Sequence, residues 1–286
     1  MRVALVAVAS VLLVGGTACG ERAEPTGSLV QVYPVTVQGA GDRPTAVSAA
    51  PRRIVPVGPG PRQILQALGL KRRTIAVDDN LVGLPLVGAI RHARPDLIVA
   101  SSETDPLDLS RARAATHAAV YVEPASSLGD VVEAIGDIGL ITGRPTQATK
   151  LTAAIEAQRR KVAARLVGTK PVTAFVDSGD FSTILARSLL GDLIREAHGL
   201  SVAGSSPEQG PFPLKRLQQL DPDVYLATAD SGRTLQSLRS HPGTKRLRAV
   251  QAGRFAIVPA GADVPGPDAG QALGQLARLL HPDAFH

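Results

Sequence analysis

The sequence is poor in cysteine and in aromatic residues: its 286 residues include one Cys, three Tyr, five Phe and no Trp. A single Cys cannot form an internal disulfide, so the fold depends on its hydrophobic core alone. The net charge is +6, but Lys and Arg are spread along the chain without a basic block. With so few rings to stack on bases, this composition excludes nucleic acid as a partner. An anionic lipid or ligand is the better match for the mild basic excess.

Catalytic and cofactor motifs are also missing. The sequence has no Gly-x-Ser-x-Gly elbow, no His-Glu-x-x-His pair and no phosphate-binding loop. Residues 58–60 read Gly-Pro-Gly, but Gln63 replaces the third glycine of the dinucleotide fingerprint, and Pro59 and Pro61 have no N–H to offer a phosphate. The six His residues lack the paired spacing that binds free Zn²⁺ or Mn²⁺. We therefore predict that the protein is not an enzyme and has no cofactor or resident metal.

An apolar run covers residues 3–14, directly after Met1 and Arg2. It is shorter than the roughly 20 residues of a membrane-spanning helix and is typical of a secretory signal peptide, here residues 1–18. Cys19 follows small residues and resembles the lipobox cysteine of bacterial lipoproteins, although Gly16 stands where that box usually has an aliphatic residue. We predict lipidation of Cys19 and a flexible tether over residues 19–30. The alternative is cleavage after Ala18, which would release a soluble protein.

One long amphipathic helix is predicted at the centre of the chain, over residues 145–166. Proline is favoured at the first helical position, and Gly168 and Pro171 supply the stop. At about 1.5 Å per residue such a helix would be roughly 33 Å long, enough to connect two lobes. Its apolar positions recur at helical spacings and are Ala148, Leu151, Ile155, Val162 and Leu166.

The regions on either side of this helix both have the alternating strand and helix pattern of an α/β fold. Residues 95–100 (PDLIVA) and 222–227 (PDVYLA) match almost position for position, which indicates an internal duplication. We predict an α/β fold of two similar three-layer lobes joined by one helix. The boundaries are 31–144 for the N-terminal lobe with its opening hairpin, 145–167 for the connecting helix and 168–286 for the C-terminal lobe. In the first lobe, residues 58–61 are predicted as a turn and 74–77 as a strand.

With this organisation, the sequence resembles the extracytoplasmic solute-binding proteins of ABC importers for iron siderophores, haem and vitamin B12, whose two lobes are joined by one rigid helix. The resemblance covers nearly the whole mature chain and depends on the order and spacing of short pieces. These are residues 33–37 (YPVTV), 51–55 (PRRIV), 64–65, 67–69, 95–98, 143, 191–194 (GDLI), 212–213, 221–225 (DPDVY) and 265–267 (PGP).

The resemblance implies the helical-backbone periplasmic-binding-protein fold and a monomer anchored by lipid to the outer face of the cytoplasmic membrane. Its partners would be a small metal chelate and a membrane permease with ATPase subunits, with iron or cobalt present only as part of the bound ligand. Members that dock on a permease usually carry a Glu on each lobe, seven residues before the Pro-Asp strand. Gly88 and Lys215 stand there instead. A non-transporting surface lipoprotein that binds a protein partner therefore stays open as an alternative.

The candidate site lies between the lobes, because α/β sheets bind ligands at the carboxyl ends of their strands. Arg62 and Arg187 would hold carboxylates of an anionic ferric siderophore, and Phe181 and Phe212 would pack on a flat or apolar ligand. A ferric siderophore is the first expectation, and cobalamin or haem is the alternative. The candidate ligand-binding residues are Gly58, Pro59, Gly60, Arg62, Asp79, Asn80, Ser101, Glu103, Phe181, Ser182, Thr183, Arg187, Phe212 and Asp263.

Overall fold

The computed structural model describes residues 33–41, 43–185, 187–203 and 210–285. The signal peptide, Cys19 and the tether predicted for residues 1–30 lie outside these ranges. In the described part, no helix is both long enough and apolar enough to cross a membrane.

The N-terminal lobe is a three-layer α/β unit. Its elements, in order, are the strands β1 (Val35–Gly39) and β2 (Arg43–Val47), then β3 (Ile54–Val57), α1 (Pro59–Ala67), α2 (Gly83–Ala93), β4 (Leu97–Ala100), α3 (Pro106–Thr116), β5 (Ala119–Val122) and α4 (Leu128–Thr142). Strands β3, β4 and β5 form a parallel sheet in that order, and β1 and β2 form an antiparallel hairpin. Successive strand residues face opposite sides, so Ile54 packs with α1 and α4, and Val55 with α2 and α3.

The predicted central helix is confirmed as α5 (Pro145–Leu166), with the same bounds. Pro145 occupies its first turn, and Gly168, with φ of 79°, reverses the chain beyond its end. Its predicted apolar stripe faces the core: Ala148, Ile155, Val162 and Leu166 are buried, and Leu151 packs half-buried against them.

The C-terminal lobe repeats the three-layer plan with a four-stranded sheet. Its elements, in order, are β6 (Val172–Asp177), β7 (Ser182–Thr183), α6 (Leu189–Glu196), β8 (Gly199–Ser201), β9 (Gly210–Pro211), α7 (Leu214–Leu220), β10 (Val224–Ala227), α8 (Leu235–Ser240), α9 (Arg248–Gln251), β11 (Phe255–Ile257) and α10 (Ala269–Leu280). The parallel strands lie in the order β11-β10-β6-β8, and β7 and β9 form a short antiparallel pair. Helices α6 and α10 cover one face, and α7, α8 and α9 the other.

The predicted similarity of the two lobes extends to individual hydrogen bonds. Asp96, before β4, accepts from the backbone N–H groups of Arg52 and Arg53 at 2.7 and 3.0 Å. Asp223, before β10, accepts from the N–H of Thr173 at 2.9 Å. The backbone N–H groups of Asp96 and Asp223 donate in return to the carbonyls of Arg53 and Thr173. The repeated Pro-Asp pair therefore fixes the start of the same two neighbouring strands in each lobe.

One hydrophobic core runs through both lobes along α5. It includes residues of α1 and α4 from the first lobe and of α6 and α10 from the second. Helix α10 approaches α5 at Gly270, where a Cβ would lie 3.1 Å from the Cα of Ile155. The lobes are also joined by a buried hydrogen bond, in which the N–H of Leu128 at the start of α4 donates to Asp192 of α6 at 2.9 Å. The lobes therefore share one packed frame.

Two local predictions in the first lobe were wrong. Residues 74–77 make a single bridge, between Thr74 and Ile54, because beyond it the backbone has no strand partner in the described structure. Pro59, Gly60 and Pro61, predicted within a turn, form the first turn of α1. Proline suits that position because its missing N–H would have no helical partner anyway, and Gly58 alone, with φ of 100°, makes the turn.

Candidate functional site

A cleft of about 590 Å³ lies between the lobes. Its walls are the loops that follow β3, β4 and β5 on one side and β6, β10 and β11 on the other. Every one of these loops leaves the carboxyl end of a parallel strand, which is where open α/β sheets present their ligand contacts. The volume is in the range of sites for drug-sized molecules, about 300–1,000 Å³.

Equivalent residues of the two lobes face each other across this cleft. Ser101 follows β4 and its N–H donates to the carbonyl of Val57, the last residue of β3. Thr228 follows β10 and its N–H donates to the carbonyl of Asp177, the last residue of β6. Two positions further along the chain, Glu103 and Asp230 both line the cleft. The duplication therefore places one hydroxyl and one carboxylate on each side.

Six of the predicted site residues lie together in the cleft wall. Gly58 stands directly behind them, because a Cβ built on it would meet the Cβ of Ser101 at 2.9 Å. The six residues in the wall are Pro59, Gly60, Ser101, Glu103, Arg187 and Asp263.

Three further predicted residues lie together elsewhere: Asp79 and Asn80 are on the loop that follows the Thr74 bridge, and Arg62 reaches this loop from α1. The guanidinium of Arg62 pairs with Asp79 at 2.5 Å and donates to the carbonyl of Val77 at 3.1 Å. Asn80 donates to Asp78 at 3.0 Å. Because Arg62 already has a carboxylate partner and is outside the cleft lining, the predicted pair of ligand-holding arginines is reduced to Arg187.

The two predicted aromatic contacts are used inside the C-terminal lobe. Phe212 is 6% exposed and packs on Phe175, with ring centroids 5.5 Å apart. Phe181 supports the guanidinium of Arg233, which lies 4.1 Å from its ring centroid. Ser182 and Thr183 form β7 beside Phe181, and Thr183 is 1% exposed. None of these four predicted residues belongs to the described cleft lining.

Several lining residues were missed from the sequence. Thr228 and Asp230 could have been found from the duplication, because they follow PDVYLA as Ser101 and Glu103 follow PDLIVA. The loop before α6 carried no such signal. Ser102, Val264 and Pro265 also belong to the wall and were selected with their predicted neighbours Ser101, Glu103 and Asp263. The residues of the wall that the sequence did not indicate are Ala125, Ser126, Ser178, Ile184, Leu185, Ser188, Leu189 and Leu190.

A buried carboxyl group lies just behind the N-terminal wall. Glu123 follows β5, is 0% exposed, and neither carboxyl oxygen has a hydrogen-bond partner among the described residues. Its Oε1 would lie 2.5 Å from a Cβ built on Gly60, so the glycine is required by this close approach. Burial, and to a smaller extent the nearby Glu103 carboxylate, raises the pKa of Glu123 to about 8. Glu123 is therefore uncharged at neutral pH.

The C-terminal wall also has a buried carboxylate, and this one is fully partnered. Asp177, at the end of β6, accepts from the hydroxyl of Tyr225 at 2.6 Å, the Nε of Arg233 at 2.9 Å and the N–H of Gly179 at 2.9 Å. The Arg233 side chain is held in turn by the ring of Phe181. This network fixes the loop that follows β6, whose Ser178 lines the cleft.

A wider hollow of about 700 Å³ lies at the opposite end of the first lobe's sheet, between the ends of α2 and α3. Gly88, one of the two positions where the family usually has Glu, is part of its lining, together with Arg91, His92 and Arg94. It is remote from the carboxyl ends of the strands. Within the described residues, no three His, Cys, Asp or Glu side chains are grouped so as to hold a metal ion.

Comparisons with known proteins agree with this architecture. A family model described as periplasmic binding protein matches residues 83–262. An uncharacterised ABC transporter substrate-binding lipoprotein of Bacillus subtilis (strain 168) is 22% identical over 305 residues, which cover 97% of this chain and 96% of the relative. Helicobacter pylori CeuE, solved as a nickel–histidine complex, superposes with a TM-score of 0.78 at 14% identity, over 88% of this chain and 90% of its own. A protein of an Fe³⁺-hydroxamate transport system from Saccharomonospora viridis DSM 43017 superposes with a TM-score of 0.70 at 18% identity, over 87% and 99%.

Proposed function

The chain belongs to the periplasmic binding protein family, and from this premise we propose that its cleft captures a ferric hydroxamate siderophore and delivers it to a membrane permease. Membership makes the chain the extracytoplasmic substrate-binding component of an ABC transporter, and the family is not one of enzymes. In the proposal the protein acts as a monomer held at the outer face of the cytoplasmic membrane by lipid on Cys19. The lipoprotein name of the Bacillus relative supports this anchor.

The observation that carries the proposal is the open cleft between two lobes that share one core. A surface lipoprotein that binds only a protein partner needs no cleft and would be expected to have it filled or sealed by apolar side chains. Here the cleft has about 590 Å³ of free volume, and its lining is rich in hydroxyl and carboxylate groups as well as aliphatic ones. An open cleft with both polar and apolar lining residues favours binding of a small polar ligand over binding of a protein partner alone.

The lining favours a hydroxamate chelate among the ligands considered. A hydroxamate siderophore supplies all the ligands of its own iron, so it requires only hydrogen bonds and apolar contact from the protein. Haem requires an axial His, Tyr, Cys or Met, and the cleft lining contains none of these among the described residues. The Saccharomonospora protein, whose name refers to Fe³⁺-hydroxamate transport, has the same fold. Iron then enters only as part of the bound ligand.

A thermal-shift panel tests the proposal. The sample is the chain without its signal peptide and Cys19, residues 20–286, which retains every described residue. It is mixed with ferrioxamine B, ferrichrome, ferric citrate, ferric enterobactin, haem and cobalamin. A ligand present at about 100 times its dissociation constant stabilises by about 2.7 kcal/mol, which raises the melting temperature by roughly 5–10 °C. We expect that rise with a ferric hydroxamate. A well-folded sample that responds to no compound would contradict the proposal and favour the non-transporting lipoprotein.

A further inference from the structure

The cleft is acidic although the chain as a whole is basic. Among the described residues, Glu103, Asp230 and Asp263 line it against a single guanidinium, that of Arg187, on a chain of net charge +6. The ion pairs found among the described residues include none of these four side chains. We infer that the cleft selects a ligand that carries positive charge, such as an amine-bearing ferric hydroxamate. This inference rests on the proposed function, because it takes the cleft to be the ligand site.

The carboxylates are distributed so that a ligand between the lobes meets one on each side. Glu103 and Asp230 occupy equivalent positions after β4 and β10, and Asp263 adds a third carboxylate from the loop after β11. A cation in the cleft is therefore attracted by both walls at once. An anion meets two more negative charges than positive ones and would be repelled.

Helix N-termini, which usually attract anions, present few free N–H groups around this cleft. Helix α1 begins with Pro59, Gly60 and Pro61, so only Gly60 among them has an N–H to offer. At the start of α6 the N–H of Gly191 donates to the hydroxyl of Ser188 at 3.2 Å. The first turn of α6 also contains the carboxylate of Asp192. Neither helix end offsets the negative charge of the lining.

A second, buried layer consists of polar groups that have no hydrogen-bond partner among the described residues. The carboxyl group of Glu123 lies directly behind Gly60 and is 0% exposed. The hydroxyl oxygen of Thr228, in the opposite wall, is also buried without a partner among the described residues. Thr228 is 9% exposed and belongs to the lining, so this unpaired hydroxyl lies directly at the cleft wall. An ammonium group brings three donors and no acceptor, which matches the three carboxylates of the lining.

The test compares ligands that differ only in charge. Ferrioxamine B is a ferric trihydroxamate with a free ammonium, its N-acetyl derivative is neutral, and its N-succinyl derivative is anionic. Titration calorimetry on residues 20–286 at low salt is expected to give affinities that fall by about tenfold for each unit of positive charge removed. At about 0.5 M NaCl the differences should shrink, since screening acts on exposed charges.

Two variants of opposite sign locate the effect in the cleft. The double variant Asp230→Asn/Asp263→Asn should remove most of the preference for the cationic derivative. Arg187→Gln should instead strengthen cation binding, because it removes the one positive charge of the lining. If a different chelate of the thermal-shift panel is the ligand, the same variants are measured with that chelate. The inference is overturned if the double variant binds it with the same affinity as the wild type.

The outcomes separate this inference from the function on which it rests. Binding of the anionic derivative as tightly as ferrioxamine B overturns the charge preference and leaves capture of a chelate intact. Binding of no compound in the panel overturns the proposed function instead.

Discussion

Asp177 in the C-terminal lobe and Glu123 in the N-terminal lobe are both fully buried carboxyl groups behind the cleft, but the two lobes surround them differently. Asp177 has three donors, from Tyr225, Arg233 and the backbone of Gly179. Glu123 has none among the described residues. A buried charge is stable only when it is paired and hydrogen-bonded, so the C-terminal lobe surrounds its carboxyl group with donors, whereas burial without donors raises the pKa of the carboxyl group in the N-terminal lobe.

The two lobes share a backbone arrangement but differ in the side chains that surround these carboxyl groups. Both lobes begin their sheets with the same Pro-Asp contact. Val57 ends β3 where Asp177 ends β6, and Ile98 stands in β4 where Tyr225 stands in β10. In the N-terminal lobe the pair Val57 and Ile98 is apolar and is stabilised by packing. In the C-terminal lobe the pair Asp177 and Tyr225 is polar and belongs to a hydrogen-bond network. The following substitutions test that contrast.

Glu123→Gln should have the largest effect, and the effect should depend on pH. The pKa of Glu123 is raised from 4.5 to about 8 in the folded protein. Its contribution to stability is therefore greatest below pH 4.5 and is lost as the pH rises through 8. The variant should match the wild type near pH 4 and be more stable by up to about 5 kcal/mol at pH 9. Urea unfolding at a series of pH values measures this difference.

Glu103→Gln is the matched control for that series. It removes an exposed carboxylate that contributes only the smaller part of the shift in Glu123. We expect its unfolding free energy to stay within about 0.5 kcal/mol of the wild type at each pH. If the wild-type and Glu123→Gln curves run parallel from pH 4 to pH 9, the carboxyl group of Glu123 has a partner after all.

Arg233→Ala should have the next largest effect. It leaves Asp177 buried without its cationic partner, which typically costs about 3–5 kcal/mol. Thermal and urea unfolding measure the loss, and Arg160→Ala on the exposed side of α5 is the control. The double variant Asp177→Val/Arg233→Met gives the C-terminal lobe the aliphatic residue of the N-terminal lobe and should recover most of the stability. If the double variant is no more stable than Arg233→Ala, the network does more than neutralise the charge of a buried carboxylate.

Tyr225→Phe should have the smallest effect of the three. Its hydroxyl donates to charged Asp177 at 2.6 Å, and such a bond is worth about 1.5–3 kcal/mol. The matched variant in the other lobe is Tyr121→Phe, whose hydroxyl donates to Asp137 at a longer 3.2 Å. Its loss should be about 0.5–1.5 kcal/mol. Equal losses in the two lobes, measured by urea unfolding, would contradict the distinction between a network and simple packing.

Secondary structure could be predicted from the sequence wherever it depends on residues close together in the chain. Helix α5 was predicted with its true bounds because its proline start, its glycine stop and its apolar period all lie within the segment itself. Helix α2 was not predicted, since Gly83, Pro85 and Gly88 are poor helix formers. It is held instead by packing on α3 and by the N–H of Gly83, which donates to Asp108 at 2.6 Å. That contact joins distant residues and leaves no local signal.

The site was predictable to the level of loops but not of side chains. The rule that ligands lie at the carboxyl ends of strands selected Ser101, Glu103 and Asp263, because strand order alone places them. It also selected Arg62, whose side chain is used by Asp79. Whether an arginine faces a ligand or a neighbouring carboxylate depends on rotamers and loop paths, which no periodicity in the sequence encodes.

The shared core of the lobes has a kinetic consequence. A receptor whose halves swing on a flexible hinge binds in two steps, encounter and then closure, and the second step can limit the rate of capture. Here α4, α5 and α10 belong to one packed frame, so capture is governed by diffusion to the cleft and by the charges at its mouth. The lifetime of the complex then depends on the contacts in the cleft alone. Under the proposed function, a permease that empties this receptor would have to displace the loops around Glu103, Arg187 and Asp263, because the described parts of both lobes share one core.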